Sequence, residues 1–318
     1  MKKLRIGVVG VGYLGKFHAQ KYCHMPDVDL VGVVDTDEVR GGKVAKENQT
    51  AYFPDHRALF GKVDAVSIAA PTPAHYPIAR DFLVNDVDVL IEKPITTVLD
   101  DADELIALAD SKGLIIQVGH LERFNPAVLA LNGKIDQPKF IESHRLSIFQ
   151  GRGTDVSVVL DLMIHDIDLI LNLVGSELKT VNAAGISVIS GNIDIANARL
   201  EFVNGAVANV TASRISAKNE RKLRLFQKDA YISIDFANHN ITLVHPDEGQ
   251  SGGIIPGMKI EQLTFDKSDA LDDELKAFVV AVRNRQRPLV TGKMGRDALK
   301  TALSIMSQIQ ETSQHLLG

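Results

Sequence analysis

The glycine-rich stretch of residues 5–15, RIGVVGVGYLG, constrains the fold of this chain more than any other segment. An apolar, β-branched run comes first, three glycines follow, and residues 13–24 then show a helical pattern. In such a unit the first glycine permits the tight turn, the second lets the backbone approach a pyrophosphate, and the third lets helix and strand pack closely. The N–H groups at the start of the helix then face the phosphates. The cofactor-binding residues predicted for this turn are Gly10, Gly12, Tyr13, Leu14 and Gly15.

An acidic residue follows the turn at the spacing that is typical of dinucleotide sites. The apolar run Val28–Val34 ends in Asp35, twenty residues after Gly15, where a carboxylate can accept hydrogen bonds from an adenosine ribose diol. This position favours NAD, because a 2′-phosphate would meet a like charge. Arg40 lies close enough in sequence to leave some tolerance for NADP. An ordinary strand-end aspartate without any nucleotide is the alternative interpretation.

The first part of the chain alternates short apolar runs with helical stretches, which predicts a doubly wound parallel sheet over residues 1–122. Ligands of such sheets bind beyond the carboxyl ends of the strands, so chemically active residues should come directly after the runs. The segments in that position are residues 35, 70–75 and 92–94, and the cofactor-binding residues predicted in them are Asp35, Thr72, His75, Glu92 and Lys93. The predicted strands are 4–9, 30–34, 63–69, 87–91 and 114–118, and the predicted helices are 13–24, 38–47, 75–84 and 99–111.

After about residue 123 the pattern changes to strands joined by short polar turns, which predicts a mostly antiparallel sheet over residues 123–318. A large sheet with one free face is a surface for a homodimer or homotetramer. Residues 249–253 read as a mobile loop. The predicted strands are 140–149, 180–189, 195–202, 206–215, 222–226 and 231–236, with 241–244 and 260–265 as weaker candidates, and the predicted helices are 126–131, 155–174, 270–285 and 294–315.

Composition excludes several classes of partner. A net charge of −5 argues against nucleic acid or an anionic membrane. Cys23 is the one cysteine, which fits a reducing compartment. The basic start of the chain is followed by a short apolar run that breaks into glycines, so no export signal is predicted, and no apolar stretch is long enough to span a bilayer. The sequence therefore predicts a cytoplasmic protein with no metal site.

The predicted helix of residues 155–174 is apolar apart from a polar stripe. Stripe members recur at spacings of three or four residues, which places them on one helix face. Burying carboxylates and an imidazole costs several kcal/mol unless they are partnered, so the stripe is predicted to line a hydrated or ligand-filled cleft. In the alternative, His165 and Asp161 satisfy one another in a core. The stripe members are Ser157, Asp161, His165, Asp168 and Asn172.

The tripeptide Glu92-Lys93-Pro94 ends the fourth apolar run. A lysine beside a nicotinamide and a histidine has neighbours that disfavour its charged form, so its pKa can fall and it can exchange a proton with a substrate hydroxyl. Pro94 fixes the local backbone and could do so through a cis bond. An exposed lysine–glutamate pair in solvent is the alternative.

Together these motifs resemble the Gfo/Idh/MocA oxidoreductases over essentially the whole chain. The resemblance implies an N-terminal Rossmann domain, a C-terminal α+β domain with an open sheet, and NAD(P)-dependent hydride transfer at a sugar or cyclitol carbon. It also implies that Lys93, Asp161 and His165 surround the reacting carbinol. Met163 stands where many members have glycine. The matching motifs are Gly10-x-Gly12-x-x-Gly15, Thr72-Pro73-x-His75, Glu92-Lys93-Pro94, Arg123-Phe124-x-Pro126 and Asp161-x-x-x-His165-x-x-Asp168.

Within that family, residues 119–126 and 152–168 are most similar to dehydrogenases that act on carbon 3 of UDP-N-acetylglucosamine. A nucleotide sugar needs cations for its diphosphate, and Arg152 and Arg214, with Asp168, are the predicted substrate-binding residues. Arg145, Arg221 and Arg224 are further candidates. Two alternatives remain: a dehydrogenase of a free sugar or inositol, and a non-catalytic NAD(H)-binding redox sensor.

Overall fold

The computed structural model describes residues 2–131, 133–151, 156–238, 240–247, 257–264 and 268–316. The chain divides into two compact units. Unit 1 comprises Met1–Phe124 and Asp269–Leu299, and unit 2 comprises Asn125–Ser268 and Lys300–Gly318. The predicted division at residue 122 treated both parts as continuous. The structure instead returns the chain to unit 1 near its end.

The bounds of the secondary structure are as follows. The strands are β1 (Leu4–Val9), β2 (Val28–Val34), β3 (Ala51–Phe53), β4 (Ala65–Ile68), β5 (Asp88–Glu92), β6 (Ile116–Gly119), β7 (Phe140–Leu146), β8 (Leu178–Ile186), β9 (Ile195–Phe202), β10 (Val207–Ser213), β11 (Glu220–Gln227), β12 (Ala230–Asp235), β13 (Asn240–Pro246) and β14 (Met258–Thr264). The α-helices are α1 (Gly15–His24), α2 (Glu38–Glu47), α3 (His75–Val84), α4 (Leu99–Lys112), α5 (Pro126–Leu129), α6 (Ile164–Val174), α7 (Ala270–Asn284) and α8 (Gly292–Leu316). Shorter helical turns are His56–Leu59, Thr72–Ala74 and Leu121–Phe124, which are 3₁₀, and Val159–Met163, which is a π-helix.

Unit 1 is built on a parallel sheet whose strand order, within the described residues, is β3-β2-β1-β4-β5-β6. Strand order reverses on either side of β1, as in a doubly wound fold, and the crevice at such a reversal is where dinucleotides bind. The buried face of β1 contributes Ile6 and Val8, both with no exposed surface. The predicted Rossmann architecture is therefore confirmed. The short edge strand β3 was not predicted from sequence.

Helix α7 belongs to the core of unit 1, although it lies far along the chain. Leu275, Phe278, Val279 and Val282 pack in the same buried cluster as Ile6 and Val8 of β1. Asp269 caps the helix by accepting a hydrogen bond from the Asp272 N–H at 3.2 Å. This helix was predicted to belong to the second domain, but it forms part of the core of unit 1.

Unit 2 carries a mixed sheet that, in the part of the chain the structure describes, has the order β14-β13-β12-β11-β7-β10-β9-β8. Neighbouring strands are antiparallel except β7 and β10, which run parallel with Val207 opposite Phe140. This open, mostly antiparallel sheet is the predicted one. Helix α6 packs against β7 and β10 and ends at Val174, and Gly175, which follows it, adopts a left-handed φ of 58°.

None of the helices that the structure describes has an apolar run long enough to cross a bilayer. The predicted loop of residues 249–253 lies outside the described residues.

Candidate functional site

The turn between β1 and α1 has the backbone geometry that its three glycines predict. Gly10 has a φ of 82°, and a Cβ there would lie 2.6 Å from the backbone of Ala70. A Cβ on Gly15 would lie 1.8 Å from the Gly10 carbonyl oxygen, so this glycine sets how closely helix and strand approach. A Cβ on Gly12 would meet nothing within 4 Å among the described residues. Gly12 therefore borders open space, where the backbone can approach a ligand.

Asp35 lies beside this turn, at the end of β2, and its carboxylate accepts four hydrogen bonds. The backbone N–H groups of Val11 and Asp37 each donate at 2.9 Å. The Arg40 guanidinium donates through Nε at 2.9 Å and through Nη2 at 2.6 Å. Burial alone would raise the pKa of Asp35, but the hydrogen bonds from Arg40 and the two N–H groups outweigh it and hold the pKa below its usual value. Asp35 is thus a fixed anion.

A cavity of about 880 Å³ opens over the turn, within unit 1. It falls within the usual range for small-molecule and cofactor sites. Five of the predicted cofactor residues line it, together with Arg40 and with residues 54–57, which follow the unpredicted strand β3. The five are Gly10, Gly12, Tyr13, Leu14 and Asp35.

Thr72 and His75 lie in the chain that follows β4, but their roles differ. Thr72 is half-buried and opens a 3₁₀ turn. His75 is buried, with Nδ1 2.9 Å from the Pro94 carbonyl oxygen and Nε2 2.8 Å from that of Ala70. Burial lowers the pKa of His75. His75 therefore ties together the loops after β4 and β5, and its ring is engaged with main chain.

Glu92 and Lys93 occupy the end of β5, as predicted, and the Lys93–Pro94 peptide bond is cis. The two side chains have different surroundings. Lys93 is half-buried. Glu92 is buried, with Oε1 3.2 Å from His18 Nε2. Glu92 therefore contacts the interior of unit 1 beneath the loop that carries Lys93.

The polar stripe in unit 2 departs from the regular α-helix that was predicted. Val159–Met163 is a π-helix, and α6 begins at Ile164, so Asp161 lies in the π-helical part and His165 in the first turn of α6. Such π-turns are frequent at functional sites. Asp161 and His165 are half-buried and Asp168 is buried. Asn172 is exposed, so the prediction of one continuous buried stripe is wrong at that end.

Two of the arginines that were candidates for a diphosphate are engaged inside unit 2. Arg145 is buried and donates from Nε to Asp166 at 2.6 Å and from Nη2 at 3.2 Å. Arg214 is buried, donates from Nη2 to the Val156 carbonyl at 2.7 Å, and lies 3.8 Å from Asp194. The burial of Arg145 was predictable from the sequence, because successive side chains along β7 point to opposite faces of the sheet. Arg145 lies on the same face as the buried residues Ile141 and Ser143.

The other three arginines differ from this pair. Arg224 is partly exposed and lies 3.3 Å from Glu142 on the neighbouring strand. Arg221 is exposed. Arg152 lies outside the described residues.

Met163, the noted departure from the family pattern, is fully buried in the core of unit 2. Sequence reasoning missed a group of buried polar residues in unit 1, namely His18, Ser67 and Glu274. His18 was the most accessible of these to prediction, since it lies three residues after Gly15 on the face of α1 that packs on the sheet.

The fold and the glycine turn define a dinucleotide-binding protein of the Rossmann class. Residues 4–120 match the model described as an oxidoreductase family with an NAD-binding Rossmann fold, and residues 127–233 match the GFO/IDH/MocA C-terminal domain. The chain belongs to the Gfo/Idh/MocA family.

Two relatives place it within that family. It is 38% identical over 311 residues to UDP-N-acetylglucosamine 3-dehydrogenase of Acidithiobacillus ferrooxidans, covering 98% of each chain. A solved structure of that enzyme superposes with a TM-score of 0.91 at 37% identity, covering 98% of this chain and 99% of the other. The NAD⁺-dependent scyllo-inositol 2-dehydrogenase of Bacillus subtilis is 28% identical over 312 residues, covering 91% of this chain and 89% of the other.

Proposed function

We propose that this chain is an NAD-dependent dehydrogenase that oxidises a secondary hydroxyl of a UDP-linked amino sugar, at carbon 3 of UDP-N-acetylglucosamine. One observation carries the proposal: the likeness to a UDP-N-acetylglucosamine 3-dehydrogenase runs through 98% of both chains. The relative's substrate is therefore the first candidate for this chain.

The residues of unit 1 fit a dinucleotide. Gly12 leaves the open space that a pyrophosphate needs, and the first N–H groups of α1 lie beside it. Asp35 supplies the acceptor for a ribose diol, which supports NAD over NADP. Arg40, which lines the same cavity, is 46% exposed in its side chain and could leave Asp35 to contact a 2′-phosphate.

Oxidation of the alcohol removes a hydride from carbon and a proton from oxygen. When bound, NAD supplies the hydride acceptor. This chain must supply the proton acceptor, and the candidates are Lys93 of unit 1 and His165 of unit 2. Asp161 orients His165 or the sugar. A positioned base of this kind accelerates reactions by about 10² to 10⁴.

Two other functions lead to different outcomes in the same experiment. A free sugar or inositol as substrate is favoured by the likeness to scyllo-inositol 2-dehydrogenase. A redox sensor without turnover is disfavoured by the presence of Lys93, Asp161 and His165, which a sensor would not need. The test is a screen of UDP-linked and free sugars for NAD reduction, followed by absorbance. Turnover restricted to free sugars would overturn the proposed substrate, and no turnover with any sugar would favour the sensor.

The proposed base is tested by Lys93→Met and His165→Asn. At least one variant should lose about a hundredfold or more of kcat, because the hydroxyl proton would have no positioned acceptor. Lys43→Met and His144→Asn are matched controls, since both replace exposed side chains. If both site variants stay within a few fold of the wild-type kcat, the assignment is wrong.

Arg152, Asp168 and Arg214 as substrate-binding residues, the cytoplasmic location, and a homodimer or homotetramer formed through the sheet of unit 2 remain predictions.

A further inference from the structure

A group of buried polar side chains lies beneath the loop that carries Lys93, entirely within unit 1. His18 of α1 is fully buried, with Nδ1 2.6 Å from Ser67 Oγ on β4 and Nε2 3.2 Å from Glu92 Oε1 at the end of β5. His18 therefore connects the helix of the glycine turn to two neighbouring strands. One of these strands leads directly into Lys93.

The Glu92 carboxylate is confined on its other side by β6. A Cβ on Gly119, the residue paired with Glu92 in the parallel ladder, would lie 2.8 Å from the carboxylate carbon. Any larger residue at that position would displace Glu92. The carboxylate thus lies between the His18 ring, whose Nε2 makes no hydrogen bond of good geometry among the described residues, and the backbone of β6.

A second carboxylate, on α7, interacts electrostatically with Glu92. Glu274 is fully buried, and neither of its carboxylate oxygens has a hydrogen-bond partner among the described residues. An ionised carboxylate without donors is very costly to bury, so the group takes up a proton instead. Burial, followed by repulsion from Glu92, raises the pKa of Glu274 well above its ordinary 4.5.

Two elements that pack against α7 also carry ionisable side chains: Tyr22 lies on α1, and Arg123 lies in the turn Leu121–Phe124. Burial raises the pKa of the Tyr22 phenol strongly, so Tyr22 is neutral. Arg123, in the 3₁₀ turn that packs against α7, donates from Nη2 to Met294 Sδ at 3.5 Å. Gln117 donates to the Glu274 backbone carbonyl at 3.1 Å and brings no charge.

We propose that His18, Ser67, Glu92 and Glu274 form a positioning cluster that fixes Lys93 relative to the glycine turn, with a single negative charge between the two glutamates. The positioning role rests on the proposed function, in which Lys93 exchanges a proton with substrate. The charge state does not. His18 and Glu92 are positioning residues, because they act on the reaction through Lys93.

The positioning role is tested with Glu92→Gln and Gly119→Ala, which remove the charge or displace the carboxylate. Each should lower kcat by about tenfold or more, while NADH affinity stays within about twofold, because the cavity lining is unchanged. His18→Asn should be non-additive with Glu92→Gln, since the two residues act as a unit. Glu104→Gln, which alters an exposed glutamate of the same unit, is the control. A kcat within about twofold of wild type in both Glu92→Gln and Gly119→Ala overturns the role.

The same comparison can be made without substrate. The reactivity of Lys93 toward an amine-acylating reagent, followed by mass spectrometry, should change in Glu92→Gln but stay unchanged in Glu104→Gln. If no sugar is turned over, the proposed function fails while this measurement still decides the positioning role. If Lys93→Met abolishes turnover and Glu92→Gln changes neither kcat nor reactivity, only the cluster proposal fails.

The single charge is tested with Glu274→Gln and, as a second variant, Glu274→Leu. The wild-type infrared spectrum at neutral pH should contain the carbonyl stretch of a protonated carboxylic acid, which each variant loses. Because the folded chain holds a proton that the unfolded chain releases above about pH 4.5, wild-type stability should fall as pH rises from there, and each variant should lose that part of the slope. An unchanged spectrum and slope overturn the single charge.

Discussion

Asp35 is held in place by the elements around it and is also the proposed acceptor for the ribose diol of the cofactor. Its four hydrogen bonds join the glycine turn at Val11, its own strand end at Asp37, and α2 at Arg40. Each oxygen already accepts two of these bonds. A ribose diol would therefore have to replace donors that are present, and the exposed Arg40 fork is the one that can move without altering the backbone. If the cofactor binds as proposed, its affinity reflects an exchange of hydrogen-bond donors at Asp35.

Replacing Asp35 with serine should weaken NADH binding by about tenfold or more, which corresponds to about 1.4 kcal/mol. NADPH binding should weaken less or improve, because Arg40 loses its bidentate partner Asp35, keeps only the ion pair with Asp37 at 3.4 Å, and can pair with a 2′-phosphate. Both affinities can be read from the fluorescence of the reduced cofactors. The double variant Asp35→Ser with Arg40→Gln should lose the gain toward NADPH. An unchanged ratio of the two affinities in Asp35→Ser would contradict this account.

At the scale of the element, the glycine turn combines two separate requirements. Gly15 is needed for folding, because a side chain there would collide with the Gly10 carbonyl. A Cβ on Gly12 would meet nothing within 4 Å among the described residues, and the role proposed for Gly12 is to let a ligand approach the backbone. The same motif therefore contains a residue needed for packing and a residue proposed to serve binding, and substitution can separate the two roles.

Gly12→Ala and Gly15→Ala should affect different properties: the first should weaken cofactor binding, and the second should lower stability. Gly12→Ala should keep the unfolding midpoint close to wild type and lose NADH affinity, because the new methyl group occupies ligand space. Gly15→Ala should lower stability by several kcal/mol, as expected for severe overpacking. Gly42→Ala in α2, where a Cβ meets nothing within 4 Å of the described structure, is the control and should be neutral or slightly stabilising. Thermal unfolding followed by circular dichroism suits a chain without tryptophan. Equal loss of stability in the first two variants would refute the separation.

For the whole molecule, the decisive feature is that unit 1 is discontinuous. Helix α7 packs its apolar face into the core that also contains Ile6, Val8 and Tyr22. The dinucleotide-binding unit therefore depends on residues about 150 positions beyond its first segment. Its stability should respond to changes in α7 as it does to changes in β1.

Phe278→Ala, in the buried face of α7, should lower the free energy of unfolding of unit 1 by about 3–5 kcal/mol, because it leaves a cavity in the core. Added NADH should recover part of the loss by binding the folded state. Val280→Ala, on the exposed face of the same helix, should change stability by less than about 0.5 kcal/mol. Urea unfolding with and without NADH makes the measurement. A loss in Phe278→Ala no larger than in Val280→Ala would show that α7 does not contribute to the core.

The fold was predictable where a pattern is local. The strand β1, the helices α2 and α3 and the strand β9 have the predicted bounds, because apolar periodicity and caps such as Asp37 act over a few residues. The strand β3 was missed because three residues carry too little pattern. The π-turn at Asp161 was missed because its residues have no propensity that distinguishes it from the α-helix that follows.

The same distinction between local patterns and contacts from distant segments applies to the candidate site. The sequence by itself determined the glycine turn, Asp35 and the Lys93-Pro94 loop, since each depends on residues that are adjacent or joined by one crossover helix. Only the tertiary structure decided that His75 faces main chain, that Arg145 and Arg214 are engaged inside unit 2, and that Glu274 is buried where it interacts electrostatically with Glu92. These outcomes depend on burial and on partners from distant segments, and a carboxylate or guanidinium acquires its charge partners only when the chain has folded around it.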